Sequence, residues 1–153
     1  MVQAIPLQRL EREAPTTISH FLLPGLLIPG QKLAINLETR TLSLLTDGPQ
    51  LLREQQFSVN EMNVLFPIFE SYPHYCPYEV LLAHLSTDTV TSKTITRCRQ
   101  RLNEAKNCGR WHQELRPIRR ALSSLRSKLY DFRLEISNIR ERGCNLTSLK
   151  SEF

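Results

Sequence analysis

An α+β fold, with a small antiparallel sheet ahead of a group of helices and a β-hairpin at the end, follows from three features of the sequence. Between Lys32 and Arg53, apolar and polar residues alternate with the period of strands. From Ser58 to Leu129 the apolar positions move to helical spacing. From Leu134 to Thr147 the alternation returns, broken by the turn-like Arg140-Glu-Arg-Gly143. With 153 residues, 41% hydrophobic and 23% charged, the chain is long enough for one domain with a real core and short for two.

Residues 1–31 read as a proline-dotted N-terminal extension, with a short helix near Leu7–Glu13 and an extended apolar segment at Phe21–Ile28. The domain proper is expected over residues 32–150. Leu33-Ala-Ile-Asn-Leu37 and Thr41-Leu-Ser-Leu-Leu45 alternate, and Asp47-Gly48 is a turn signal before Gln50-Leu-Leu-Arg53, so three short antiparallel strands are predicted. Ser58 and Glu61 have the spacing of a capping box, which starts a helix there. Met62, Leu65 and Phe69 supply its buried face, with Phe66 and Ile68 beside it, and Pro67 is expected to bend it or end its regular hydrogen bonding early. A second helix is predicted over Tyr75–Leu85, with Pro77 in its first turn and Val80, Leu81 and Leu85 inward. A third has Ser92 as N-cap and a stripe of Thr91, Ile95, Cys98, Leu102 and Ala105, while Lys93, Arg97, Arg99 and Arg101 make the rest basic.

The last helix carries the most information. Pro117 suits a first turn because its missing N–H is not needed there. Ile118, Leu122, Leu125 and Leu129 then form one apolar stripe. On the opposite face lie Arg116, Arg120, Ser123 and Ser127, flanked by Arg119 and Arg126, and no acid follows until Asp131. A helix with a basic face followed at once by a basic hairpin suits a nucleic-acid duplex, the helix entering the major groove and the hairpin straddling phosphates. The plainer alternative is an amphipathic helix whose solvated face happens to be basic. Charge along the chain is lopsided: residues 1–92 carry 5 Lys/Arg against 9 Asp/Glu, and residues 93–153 carry 15 against 6. The C-terminal half therefore favours a polyanion, a description that fits nucleic acid and membrane surfaces alike.

Leu122-Ser-Ser-Leu-Arg-Ser-Lys-Leu129, followed by Leu134-Glu-Ile-Ser-Asn-Ile-Arg-Glu-Arg-Gly-Cys-Asn-Leu146, resembles the end of the OmpR/PhoB-type winged-helix DNA-binding (effector) domain. That family has a recognition helix of the form I-x-x-L-R-x-K-L, then a strand and wing of the form I-x-T-V-R-G-x-G-Y-x-L. Phe57-Ser-Val-Asn-Glu61 is similar to the family's L-T-x-x-E-F-x-L-L at the first helix, also preceded by a small sheet. The resemblance implies a winged helix-turn-helix with three core helices, and a cytoplasmic transcription regulator that binds double-stranded DNA. It would place Arg116, Arg120, Ser123, Ser124 and Arg126 at the nucleic acid through the recognition helix and Asn138, Arg140 and Arg142 in the wing. Arg119, Ser127 and Lys128 of the same helix complete the expected DNA-binding set, with Arg126 among the phosphate contacts and Arg120, Ser123 and Ser127 expected at base edges.

The chain departs from the pattern at Glu141, where the wing usually has glycine, at Cys144, which replaces a tyrosine, and at Ser123 and Ser124, which are often basic. Residues 86–115 are longer than the family's loop and read as an inserted helical segment. Its Ile95-Thr-Arg-Cys-Arg-Gln-Arg-Leu102 imitates Leu122–Leu129, so two helices compete as groove reader. The later is preferred because a wing must follow its helix closely. The inserted helix then adds phosphate contacts, a protomer interface or a surface for RNA polymerase. Homodimeric binding on direct repeats is the family expectation. The family's receiver domain, on the order of a hundred residues, is not expected here.

Other chemistries fit poorly. Cys108 and His112, with Cys98 and His84, assemble into a zinc site only on paper, since no ligands sit in pairs at knuckle spacing. No P-loop or dinucleotide fingerprint occurs, and nothing marks Cys76 or Cys144 as a nucleophile, so no enzyme, metal or cofactor is expected. The 4 cysteines show no CxxC pair and are expected to be free thiols. Phe21–Gly30, the longest apolar run, is too short for a bilayer, and no charged side chain precedes it in Met1–Leu7, so no membrane association is expected. Trp111 is expected to anchor the inserted segment. Two rivals remain: a winged-helix protein-interaction module docking an acidic partner, and an RNA binder, the latter disfavoured by the lack of an aromatic platform beside the basic face.

Overall fold

The computed structural model describes residues 17–48 and 50–149, and over these the fold is α+β. Strands β1 (Ile18–Phe21), β2 (Gln31–Asn36), β3 (Thr41–Thr46) and β4 (Gln50–Gln56) form an antiparallel sheet in sequential order. The sheet thus has one strand more than alternation predicts. Phe21 pairs with Leu33 and Ile18 with Asn36, so the folded unit begins ahead of Lys32, inside the segment expected to be an extension. The short helix expected at Leu7–Glu13 lies outside the described residues.

Helix α1 (Val59–Ser71) starts at the anticipated capping box: Ser58 Oγ accepts the Glu61 N–H at 3.1 Å, and Glu61 Oε1 accepts the Ser58 N–H at 2.8 Å. Pro67 does not end the helix, which runs one more turn to Ser71, where the Ser71 hydroxyl donates to the Pro67 carbonyl at 2.9 Å. Cys76 and Pro77 form a two-residue strand, β5, so the next helix, α2 (Tyr78–Ser86), begins later than Tyr75. Its fully inward residues are Leu81, Leu82 and Ala83, because α2 is packed between α1 and the next helix; Val80 and Leu85 are only half-buried.

Helix α3 (Ser92–Asn107) is capped by Thr91 rather than Ser92, since Thr94 at the third position closes a reciprocal pair of hydrogen bonds with Thr91. Cys98, Leu102 and Ala105 are buried as expected, Ile95 is half-buried and Thr91 is exposed at the cap. A single turn, α4 (Trp111–Glu114), precedes α5 (Arg116–Leu129). Ile118, Leu122, Leu125 and Leu129 all face the core, joined by Ala121. A 3-10 turn at Tyr130–Phe132 and a left-handed Arg133 then turn the chain into β6 (Leu134–Ile139) and β7 (Gly143–Ser148).

The second sheet has the order β5-β7-β6. Gly143 is required there, because a Cβ would stand 2.0 Å from the Cys76 carbonyl oxygen. Cys76 and Cys144 are paired neighbours across β5 and β7; both are free, and burial pushes their thiols up to about 11 and about 12, so they stay protonated. Leu33, Ile35 and Leu42 of the first sheet, Leu65, Ile68 and Phe69 of α1, Leu81 of α2, Leu125 and Leu129 of α5, and Leu134 and Ile136 of β6 belong to one hydrophobic core.

The hairpin turn contains a backbone conflict. Glu141 has φ +59, a left-handed conformation that costs a side-chain-bearing residue energy and costs glycine none. Its carboxylate lies 2.9 Å from Lys106 Nζ on α3, but both side chains are about half exposed, where an ion pair contributes little. Glu141→Gly is therefore expected to raise the melting temperature by a few degrees in a thermal scan; a lower value would mean that the Lys106 pair outweighs the strained turn.

Candidate nucleic-acid interface

Helix α5 lies with one side in the core and the other in solvent. Arg116, Arg119, Arg120, Ser123, Ser124 and Ser127 are exposed, and Arg126 and Lys128 are half-buried. The helix carries no acid, and none of Arg116, Arg119 and Arg120 meets a carboxylate among the described residues. Arg116 and Arg119 stand in the first turn of the helix, the positive end of its macrodipole, where cations are unfavourable, and Arg120 follows just beyond it. Helix stability alone does not explain them.

Not all of the sequence-predicted site residues are free to meet a ligand. Lys128 Nζ is 2.8 Å from Glu61 Oε1, 3.4 Å from the Gln56 carbonyl oxygen and 5.4 Å from the centre of the Phe57 ring. It ties the C-terminal end of α5 to the capping box of α1. Glu61 is only 4% exposed. Burial pushes its carboxyl up, but hydrogen bonds from Lys128 and the Ser58 N–H, with the Ser124 hydroxyl nearby, outweigh burial and hold it below the usual carboxylate range.

Arg126 is a brace between α5 and the hairpin. Its Nε donates to the Ile136 carbonyl at 3.2 Å and its Nη2 to Asn138 Oδ1 at 3.3 Å. Asn138 also accepts from the Cys144 thiol at 3.4 Å, so Asn138 is held from two sides. Arg140 and Arg142 at the hairpin turn are exposed. The hydroxyls of Ser124 and Ser127 donate back to the Ala121 and Ser124 carbonyls at 3.4 and 3.2 Å, a bonding pattern that turns them toward the helix.

A groove runs along each flank of α5. One lies between α5 and the start of α1, with Arg116, Arg120, Ser124 and Asn60 on its walls. The other, of about 410 Å³, lies between α5, the start of α2 and β6, and is walled by Tyr78, Arg119, Ser123, Arg126 and Asn138. Tyr78 and His112 were not legible as site residues. His112 Nδ1 stands 2.8 Å from Arg119 Nη2 and accepts its hydrogen bond, which aims the guanidinium. The sequence carries no motif for such a pair, since they belong to different helices and meet only through packing.

On the rival helix the basic residues divide. Arg99 pairs with Glu79 at 3.2 Å, Arg101 with Glu114 at 2.8 Å and Lys106 with Glu141, so these cations fasten α3 to the body. Lys93 and Arg97 remain exposed on its outer face with Thr96 and Gln100. Trp111 anchors the segment: its ring meets Tyr78 edge-on at 6.1 Å, with Lys106 Nζ 5.9 Å from its centre. Among the described residues, no three His, Cys, Asp or Glu side chains cluster as metal ligands, and no helix is long and apolar enough to cross a membrane. In comparisons with known proteins, the chain matches no family model, no curated protein and no solved structure.

Proposed function

We propose that this chain is a sequence-specific double-stranded DNA-binding transcription regulator of the winged-helix kind, with α5 as the recognition helix in the major groove and the β6–β7 hairpin as its wing. The observation that carries the reading is the acid-free face of α5, which holds Arg116 and Arg119 against the helix dipole with Arg120 beside them and is coupled by Arg126 to the hairpin that bears Arg140 and Arg142. Cations kept where they cost helix stability are explained by a polyanion that occupies the same end of the helix. The order of sheet, α1, α2, α5 and hairpin is what the OmpR/PhoB-type resemblance implies, with α3 and α4 as the insertion.

In this arrangement Arg116, Arg140 and Arg142 neutralise phosphates and set register, and Arg120 and Ser123 reach base edges. Arg126 acts first by fixing the wing. The outer face of α3, with Lys93 and Arg97, is the surface for further phosphates, for RNA polymerase or for a second protomer on a direct repeat.

Selection of bound sequences from a random duplex pool, repeated on variants, tests the assignment. Arg120→Ala is expected to cost about 1–3 kcal/mol on the selected site, and Arg97→Ala much less. If Arg97→Ala abolished binding while Arg120→Ala left it untouched, α3 would be the reader. Binding of an acidic protein with no affinity for any duplex would support the docking module instead.

A further inference from the structure

The cleft between α2, α5 and β6 has a chemistry more specific than a basic surface. Tyr78 is only 8% exposed and lines the cleft, and its hydroxyl makes no hydrogen bond among the described residues while staying open to solvent. The phenol is therefore a donor available to a ligand in the cleft. Two guanidiniums border the same space. Arg126 spends two of its five N–H donors on β6 and Arg119 one on His112, and neither guanidinium has a further partner among the described residues. Ser123 and the Asn138 side chain complete the wall. Burial pushes the Tyr78 phenol up, with Arg119 and Arg126 close enough to pull the other way, so the hydroxyl remains a neutral donor. Among the described residues, no acid borders the cleft.

We infer that this cleft is a seat for one phosphoryl group, held by Arg119 and Arg126 with Tyr78 Oη as a neutral donor. Two guanidiniums of α5 and a hydroxyl of α2 bordering one cleft suit a tetrahedral anion, which accepts hydrogen bonds in several directions, better than a planar carboxylate. The group comes either from the backbone of a bound duplex or from free phosphate or a phosphomonoester. The seat stands independently of the duplex reading.

Trp111, the only tryptophan, touches Tyr78 and reports on the cleft. Its emission is followed while inorganic phosphate is titrated into the full chain at constant ionic strength, with acetate and chloride as controls. A saturable change is expected with phosphate alone, weakened at least tenfold in Arg119→Gln and several-fold in Tyr78→Phe, a change that keeps the ring and its packing. If the response disappears in protein saturated with duplex, the backbone supplies the group; if it persists, a free phosphoryl ligand binds beside the duplex. A phosphate response without any duplex binding upholds the seat and removes the DNA-binding reading. No response, an equal response to acetate or chloride, or titrations unchanged in both variants overturns the inference.

Discussion

Lys128→Met is expected to lower the stability of the fold by about 2–3 kcal/mol at neutral pH, or roughly 10 °C in melting temperature. Methionine keeps the apolar stem of the side chain and removes its charge. Glu61 would be left as a carboxylate only 4% exposed whose strongest partner is gone. The figure is set below that for a fully buried pair because the Lys128 side chain is 31% exposed. The pH dependence is a second readout. Glu61 is held below its ordinary range in the fold, so its contribution is present above the unfolded value and lost as pH falls through the folded one. Wild type and variant should thus differ most near neutrality and converge in acid. Equal melting temperatures at pH 7 would return Lys128 to the surface cations, and a specific loss of DNA affinity with stability intact would return it to the binding face.

Replacing Arg116, Arg120 and Arg142 together by alanine is expected to reduce the dependence of log binding constant on log salt by about 2 units, close to one for each of the phosphates met by Arg116 and Arg142, while the loss of Arg120 removes a base contact. All three are exposed. Arg116 opposes the helix dipole and the other two are exposed, so thermal stability should hold or rise slightly while affinity collapses. That combination separates a binding face from a merely solvated one. Unchanged salt dependence in the triple variant would mean that these arginines meet water and nothing else.

What the sequence disclosed depended on the range over which residues act. The Ser58–Glu61 cap and the Ile118, Leu122, Leu125, Leu129 stripe are local patterns, and both stand in the structure where their spacing puts them. The cap of α3 was displaced by one residue because Thr91 and Ser92 are both capable caps and only the reciprocal bond with Thr94 decides between them. Strand β5 was illegible: Cys76, extended as a residue before proline, and Pro77 become a strand only because β7, far along the chain, lies beside them. The same holds for β1, whose short segment gains its partner from β2. At the candidate site, the faces of α5 were readable from periodicity, but the division of labour was not. Whether Lys128 and Arg126 meet solvent or fasten the fold depends on Glu61 and the Ile136 carbonyl, which tertiary packing brings to them.

The most direct test of the central claim is fluorescence anisotropy of a labelled random-sequence duplex titrated with the full chain between about 50 and 200 mM salt, the range over which counterion release is steep. Binding that is tight at the low end and falls linearly in log–log coordinates, with a slope equivalent to several phosphates, is the predicted result. No binding at the low end, or an affinity indifferent to salt, would contradict α5 and its hairpin as a duplex-binding surface.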